Sequence, residues 1–201
     1  VIMVHGDDNG LRVPPRLAPI QAHVMVVKSG DGVVEAARKL HDGLRDSGVR
    51  VAFDDRVATP FGRRAVDAEL KGYPVRIEVG PQDLAAGNVV LARRFDGSKT
   101  PVTLDAAAGA VRDALDADQQ ALYDAALRFR EEHTVEVESL VEAQDAAAAG
   151  WARVPWPLVG AAGEAELNAN GITVRCLVRP DGSAPDSEDE PDLVAYVARS
   201  Y

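Results

Sequence analysis

Over its first half the chain alternates short apolar runs with stretches of helical spacing. Ala22–Val27 is a compact, Val-rich run and reads as a buried strand. From Asp31 to Ser47 the apolar positions Val34, Ala37, Leu40 and Leu44 recur near the helical period, and Ser47-Gly48 ends the pattern. Val49–Phe53 predicts a second strand, Phe61–Lys71 a second helix closed by Gly72, and Arg76–Val79 a third strand stopped by Gly80-Pro81. Asn88–Arg94 predicts a fourth, after which Asp96-Gly97 turns the chain toward Pro101–Leu104. Strands alternating with helices in this way specify an α/β fold, an open sheet with mixed or parallel strands.

The pattern changes after Leu104. As far as about Gly150 the chain is Ala-rich and charged, with Leu115, Leu122, Ala126, Phe129 and Arg130 placed as on one long helix and a second helix after His133. Trp151–Trp156 reads as a strand, Glu164–Asn170 as a short helix stopped by Gly171, and Ile172–Val178 and Leu193–Ala198 as strands. Pro180–Asp192 is acidic and carries Gly, Ser and Pro, so it reads as a loop and a candidate for disorder. At the start, Val1–Val4 reads as the end of a buried strand leading into the polar turn His5–Asp8. Three parts result: a remnant at 1–15, an open-sheet domain at 16–104, and linker helices with a smaller α+β domain at 105–201. No internal repeat is visible.

Composition narrows the chemistry. The single cysteine, Cys176, excludes an internal disulfide and argues against a Cys-based zinc site, which fits a reducing compartment. No run of roughly 18 apolar residues is present, so no membrane-spanning helix is expected, and no signal-peptide pattern is visible. The net charge of −10 speaks against nucleic acid until its distribution is considered. Residues 16–104 hold 14 Lys and Arg against 11 Asp and Glu, whereas residues 105–201 hold 7 against 19. A protein that touches a few nucleotides needs only a local basic patch, and the middle of the chain can supply one.

The densest charged block runs from Asp54 to Leu84. Asp54, Asp55 and Arg56 follow a predicted strand, where α/β folds place ligand loops. Arg64, Asp67, Glu69 and Lys71 fall on one short helix, and the spacing of Arg64 and Lys71 puts them on a shared face. Arg76 and Glu78 alternate onto one side of the next strand, and Asp83 sits in the turn after Gly80-Pro81. Charge pattern alone suits either a solvated, salt-bridged surface or a base-reading surface in which Arg donates twice and carboxylates accept from base amines. His5, Asp7 and Asp8 form either a polar turn or part of an acid–base or metal cluster. Gly30-Asp31-Gly32 lacks the rest of a phosphate loop and reads as a helix start. His23, Trp151, Trp156 and Cys176 read as core residues, the cysteine buried and inert.

Two stretches carry a resemblance to a known family. HGDDNGLRVPPRLAPIQ resembles the segment after the third class II motif in prolyl-tRNA synthetases of the archaeal/eukaryotic-like type. GVRVAFDDR, FGRRAVDAELKGYPVRIEVGPQDL and VVLARR resemble that family's anticodon-binding domain, and VRCLVRP with VAYVARSY resembles its C-terminal domain. The resemblance implies the C-terminal portion of a larger ligase, with Val1–Val4 as the last strand of the catalytic sheet, His5 and Asp7 in the turn leaving the active site, and the catalytic motifs outside this chain. The full protein would activate L-proline with ATP and Mg²⁺, esterify it onto proline tRNA, form a homodimer through its catalytic domain and work in the cytoplasm, with no membrane or DNA partner. Residues 16–104 would bind the anticodon and recognise its two guanines. By position, Asp55, Arg64, Glu69 and Arg76 match polar residues of that surface, with Arg56, Lys71, Glu78 and Asp83 beside them. Glu69 and Arg76 are the expected base readers, Arg64 and Lys71 the expected backbone charges.

This chain departs from the family pattern in two places. Gly62-Arg63-Arg64-Ala65 stands where the family usually has Gly-Trp-Lys-Phe, and Ala68 precedes Glu69 in place of a Trp. Many members hold a structural zinc through four cysteines, and the corresponding stretches here contain none. The resemblance therefore implies no zinc in this chain, with packing of Trp151, Trp156, Val174 and Val178 in its place. It also assigns the carboxylate of Tyr201 a reach toward the active site. Two other readings compete: a free-standing anticodon-domain paralogue that binds tRNA or dimerises without ligase activity, and an unrelated α/β enzyme using His5, Asp7 and Asp8.

Overall fold

The computed structural model describes residues 1–200, so Tyr201 and the role expected of it lie outside the described residues. The chain divides into two compact units, Val1–Asp124 and Ala125–Tyr201. The first contains α1 (Ile2–His5), β1 (Gly6–Asp7), β2 (Gly10–Leu11), β3 (Ala22–Val26), α2 (Val33–Asp46), β4 (Val51–Asp54), α3 (Phe61–Leu70), β5 (Val75–Val79), α4 (Pro81–Ala85), β6 (Asn88–Arg93) and β7 (Lys99–Thr103). Helix α5 (Ala107–Glu132) begins there and runs past the boundary.

Five strands form the mixed sheet that the alternating pattern predicts, in the order β4-β3-β5-β6-β7. β3 pairs parallel with β4 and β5, and β6 and β7 add antiparallel. One face is apolar. Val24, Val26, Ile77, Val89 and Leu91 pack with Val33, Ala37, Leu40 and Leu44 of α2 and with Val111, Ala114 and Leu115 of α5. The alternation of a strand sends the intervening residues, His23, Met25, Arg76 and Glu78, to the opposite face. Helix α3 lies over that face: Arg64 reaches the Val26 carbonyl oxygen, and the Ala65 carbonyl oxygen accepts from Arg76.

Residues 14–21 are pinned through backbone groups. Arg50 donates to the carbonyl oxygens of Pro15, Arg16 and Ala18, and Gln21 donates to that of Pro15. The β1–β2 hairpin abuts the end of α3, where Gly10 has φ 119° and a Cβ would lie 2.6 Å from the Glu69 carbonyl oxygen. Val1–Val4, expected as a strand, is instead a helical turn with all four side chains exposed. No strand lies alongside it among the described residues, and the turn satisfies the backbone locally through His5 N–H to Val1 O at 2.9 Å.

The second unit contains β8 (Thr134–Glu136), α6 (Leu140–Ala147), β9 (Trp151–Pro155), α7 (Trp156–Ala169), β10 (Ile172–Val178) and β11 (Val194–Arg199). Its sheet has the order β10-β11-β9-β8. Ala143, Ala147, Val159 and Leu167 of the two helices pack on Ala152, Val154, Ala195 and Val197. Helix α6 is capped by Ser139, whose side chain accepts from the Glu142 N–H, while the Glu142 carboxylate accepts from the Glu138 N–H.

Several sequence expectations fail in this unit. The helix expected after His133 is α6, but strand β8, which was not expected, precedes it. Helix α7 starts eight residues early because Pro157 suits a first turn, although Gly160 (φ 51°, ψ −171°) breaks it. Cys176 is exposed and not buried, and Trp151 is 40% exposed; only Trp156 of the two tryptophans packs against the core. The stretch 180–192 is a defined loop wrapped around Arg179, which donates to Glu190 (2.7 Å) and Asp186 (2.9 Å), while the Trp156 indole donates to Glu188 O.

Candidate nucleic-acid interface

The sheet face under α3 carries the charge. Register places Ala52, His23, Arg76, Ala92 and Lys99 in one row across the five strands, with Asp54, Met25 and Glu78 in the next. Arg76 is 8% exposed and Glu78 7% exposed, and their side chains meet at 3.0 Å. Arg76 also reaches Glu69 at 3.2 Å, and Lys99 reaches Glu78 at 2.9 Å. Arg76, Glu69 and Lys99 line a cavity of about 200 Å³ that Tyr73, Ala68, Arg93 and Arg94 also line, and Glu78 joins it through Arg76 and Lys99. The ammonium of Lys99 also stands 5.8 Å from the ring centre of Phe61.

The burial decides what each group can do. Carboxylates on two sides and the Ala65 carbonyl oxygen fix the Arg76 guanidinium, so its orientation is set before any ligand arrives. Glu69 is the more accessible carboxylate, its side chain 38% exposed, and Lys99 is half exposed. The result is a cation with two accessible neighbours of opposite sign, a donor–acceptor pattern suited to the edge of a nucleobase. The volume falls below the ~300–1,000 Å³ of pockets that enclose a drug-sized ligand, which suits a single base and not a nucleoside triphosphate.

A second cluster sits at the end of β4. Asp54, 3% exposed, pairs with Arg56 at 2.8 Å and with Arg64 at 3.3 Å. Burial alone would raise the Asp54 pKa, but hydrogen bonds from the Arg56 side chain and backbone, with the Arg64 charge, bring it down to about 2. His23 lies 4.0 Å from Asp54 and edge-on to Tyr73. Burial outweighs the Asp54 charge and lowers the His23 pKa to about 4, so the imidazole is neutral at pH 7. It is the core histidine expected, though its Nδ1 has no partner among the described residues.

The sequence-derived residues therefore separate. Glu69, Arg76 and Glu78 converge. Arg64 does not share a solvent face with Lys71: it is 1% exposed and donates to Val26 O and Thr59 O, whereas Lys71 caps α3 in solvent. The helix turns Arg64 onto the sheet, where the carbonyl oxygens and Asp54 consume its guanidinium. Asp55 and Arg56 are exposed beside this second cluster, Asp55 against Arg38 at 3.4 Å. Asp83 stands in the first turn of α4, outside the cavity. His5 and Asp7 do not form an acid–base pair: Arg94 and Arg12 hold the Asp7 carboxylate. Lys99 was missed. It stands between the Asp96-Gly97 turn and the Pro101–Leu104 run, and only the β5–β6–β7 register brings it to Glu78.

Residues 21–114 match the family model described as "Anticodon binding domain". The whole chain is 52% identical to proline–tRNA ligase 2 of Streptomyces avermitilis, covering 43% of that protein, and 36% identical to the proline–tRNA ligase of Thermococcus kodakarensis, covering 44%. Over its whole length the chain matches the C-terminal portion of prolyl-tRNA synthetases. Over 88% of its length it is also 38% identical to the chloroplastic/mitochondrial proline–tRNA ligase of Arabidopsis thaliana. It spans less than half the length of these relatives. The cavity beside Arg76 lies on strands of the matched anticodon-binding domain. Among the described residues no helix is long and apolar enough to cross a membrane.

Proposed function

We propose that the first unit binds the anticodon of proline tRNA, and that the observation carrying this reading is the preset Arg76 guanidinium between Glu69 and Glu78, with Lys99 alongside. A splayed guanine presents acceptors to Arg76 and amine donors to Glu69, and its face is free to meet Tyr73 or Phe61. Lys99 and Lys71 supply charge toward phosphates. Asp55, Arg56 and Asp83 flank the surface and take peripheral contacts. Arg64 acts as a positioning residue, tying α3 to the sheet so that Glu69 stands over Arg76.

In the full protein this module serves the ATP-dependent attachment of L-proline to its tRNA, in the cytoplasm and as a homodimer through the catalytic domain. ATP and Mg²⁺ belong to that catalytic part. The residues here do not fit them: the cavity is base-sized, and Arg94 and Arg12 already neutralise Asp7.

The test is binding of proline tRNA and of an anticodon-substituted tRNA to Arg76→Lys, which keeps the charge and loses the planar fork. The expected result is a loss of about 10- to 150-fold for the cognate tRNA, the cost of one charge-assisted base contact (~1.5–3 kcal/mol), with little change for the substituted one. Equal binding of both tRNAs by the unaltered chain would overturn the reading.

A further inference from the structure

The second unit holds six arginines and no lysine against 14 acidic residues, so an accessible cation there stands out. Arg153 is paired with Glu136, and Arg179 with Asp186 and Glu190. Arg175 and Arg199, like Arg128 and Arg130 on α5, are exposed and have no carboxylate partner among the described residues, but only these two meet at one cavity. Both line an open cavity of about 330 Å³, and the third large side chain in its wall is Trp151, 40% exposed. The rest of the wall, Ala147, Ala148, Gly150 and Ala198, is small.

Local structure sets this arrangement. The β10–β11 register slips between Val174 and Cys176, so Arg175 sits on a bulge, which re-aims a side chain. Its Nη2 donates to the Arg199 carbonyl oxygen at 2.7 Å, which anchors the guanidinium and leaves its other N–H groups free for a ligand. Trp151 opens β9 directly after Gly150, where a Cβ would lie 2.5 Å from the His133 carbonyl oxygen; the chain approaches β8 too closely there for any larger residue. An indole at the edge of a cavity with two guanidinium groups that have no carboxylate partner among the described residues has the chemistry of a single-stranded nucleotide site: a stacking platform with charge for the backbone.

We infer that this cavity is a second RNA contact, taking a single-stranded segment with one base on Trp151 and its phosphates at Arg175 and Arg199. It is independent of the anticodon reading, since neither the residues nor the ligand edge is shared. The test titrates the whole chain with short single-stranded oligocytidylate, which carries no anticodon, and follows tryptophan fluorescence in the unaltered chain and in Trp151→Phe, Arg175→Gln and Arg199→Gln. Quenching is expected in the unaltered chain and lost in Trp151→Phe. Binding should weaken with rising salt, with a slope in log–log form near −1.4 for two phosphates, falling by about 0.7 in each Arg→Gln variant. Both arginines are exposed, so thermal unfolding of these variants should match the unaltered chain and separate loss of binding from loss of fold.

Absence of quenching, or quenching unchanged in both Arg→Gln variants, overturns the inference. So does equal quenching by polyglutamate, which would make the cavity a protein-docking site, or by inorganic phosphate alone, which would remove the stacking contact. Retention of the signal in Arg76→Lys separates this site from the anticodon cavity: either can fail while the other stands.

Discussion

The two faces of the five-stranded sheet are made from the same strands and solve opposite problems. Under α2 and α5 the inward residues are apolar, from Val24 and Ile77 to Leu44 and Val111, except where the buried Asp118 of α5 takes Arg93. Under α3 the alternate positions carry His23, Asp54, Arg76 and Glu78, all nearly excluded from water. Burial stabilises the first face directly. On the second, each charge is tolerated because a partner is fixed beside it, and the fixed partners leave a shaped, polar cavity. The apolar face stabilises by burial; the charged face depends on its pairs, and is where the domain is most easily broken.

The largest expected effect follows from removing half of a buried pair. Arg64→Leu leaves Asp54 buried with only Arg56, and should lower unfolding stability by about 3–5 kcal/mol, read from the urea midpoint. The double variant Arg64→Leu with Asp54→Leu should recover much of that loss, because no unpaired charge remains. If the single variant is nearly neutral, the charged face does not depend on pairing. Leu44→Ala probes the other face. Fully buried in the apolar core, it should cost about 2–5 kcal/mol through transfer and cavity terms while leaving cognate-over-substituted tRNA discrimination unchanged in the folded fraction.

A smaller effect probes the face under α3 by pH. The His23 pKa is about 4 in the fold, below its ordinary 6.5. Its stabilising contribution is complete above pH 6.5 and is lost as pH falls toward 4, because the unfolded chain takes up the proton first. The loss across that window is about 3 kcal/mol. His23→Phe keeps the edge contact to Tyr73 and should flatten the stability profile between pH 6.5 and 4. An unchanged slope would place the titration elsewhere.

What was legible in the sequence follows the same division. Val75-Arg76-Ile77-Glu78-Val79 displays both faces in five letters, and the α2 stripe matched its buried residues closely. The helix–strand alternation was therefore enough to predict the mixed sheet. Side-chain direction off α3 was not legible: the spacing of Arg64 and Lys71 gave them a common face, but α3 ends at Leu70 and the sheet claims Arg64. The second unit was read less well because its signals are weak. Ala-rich α6 and α7 have little polar contrast, and β8 is too short for alternation to register. The 180–192 loop had a disordered composition, and its order comes from one arginine outside the acidic run.

Lys99 gives the smallest expected effect on stability and the sharpest test of the division between pairing and recognition. Its ammonium is half exposed and shares Glu78 with Arg76, so Lys99→Ala leaves Glu78 with its buried partner. The stability change should stay within about 1 kcal/mol, as for other exposed ion pairs. RNA binding should respond differently. If Lys99 meets phosphates as proposed, its loss should weaken cognate and anticodon-substituted tRNA alike and reduce the salt slope by about 0.7–0.9. Arg76→Lys should do the reverse, removing discrimination between the two tRNAs with little change in salt slope. If Lys99→Ala instead abolishes discrimination, then the base edge is read from β7 as well as β5, and the recognition row extends across the antiparallel half of the sheet.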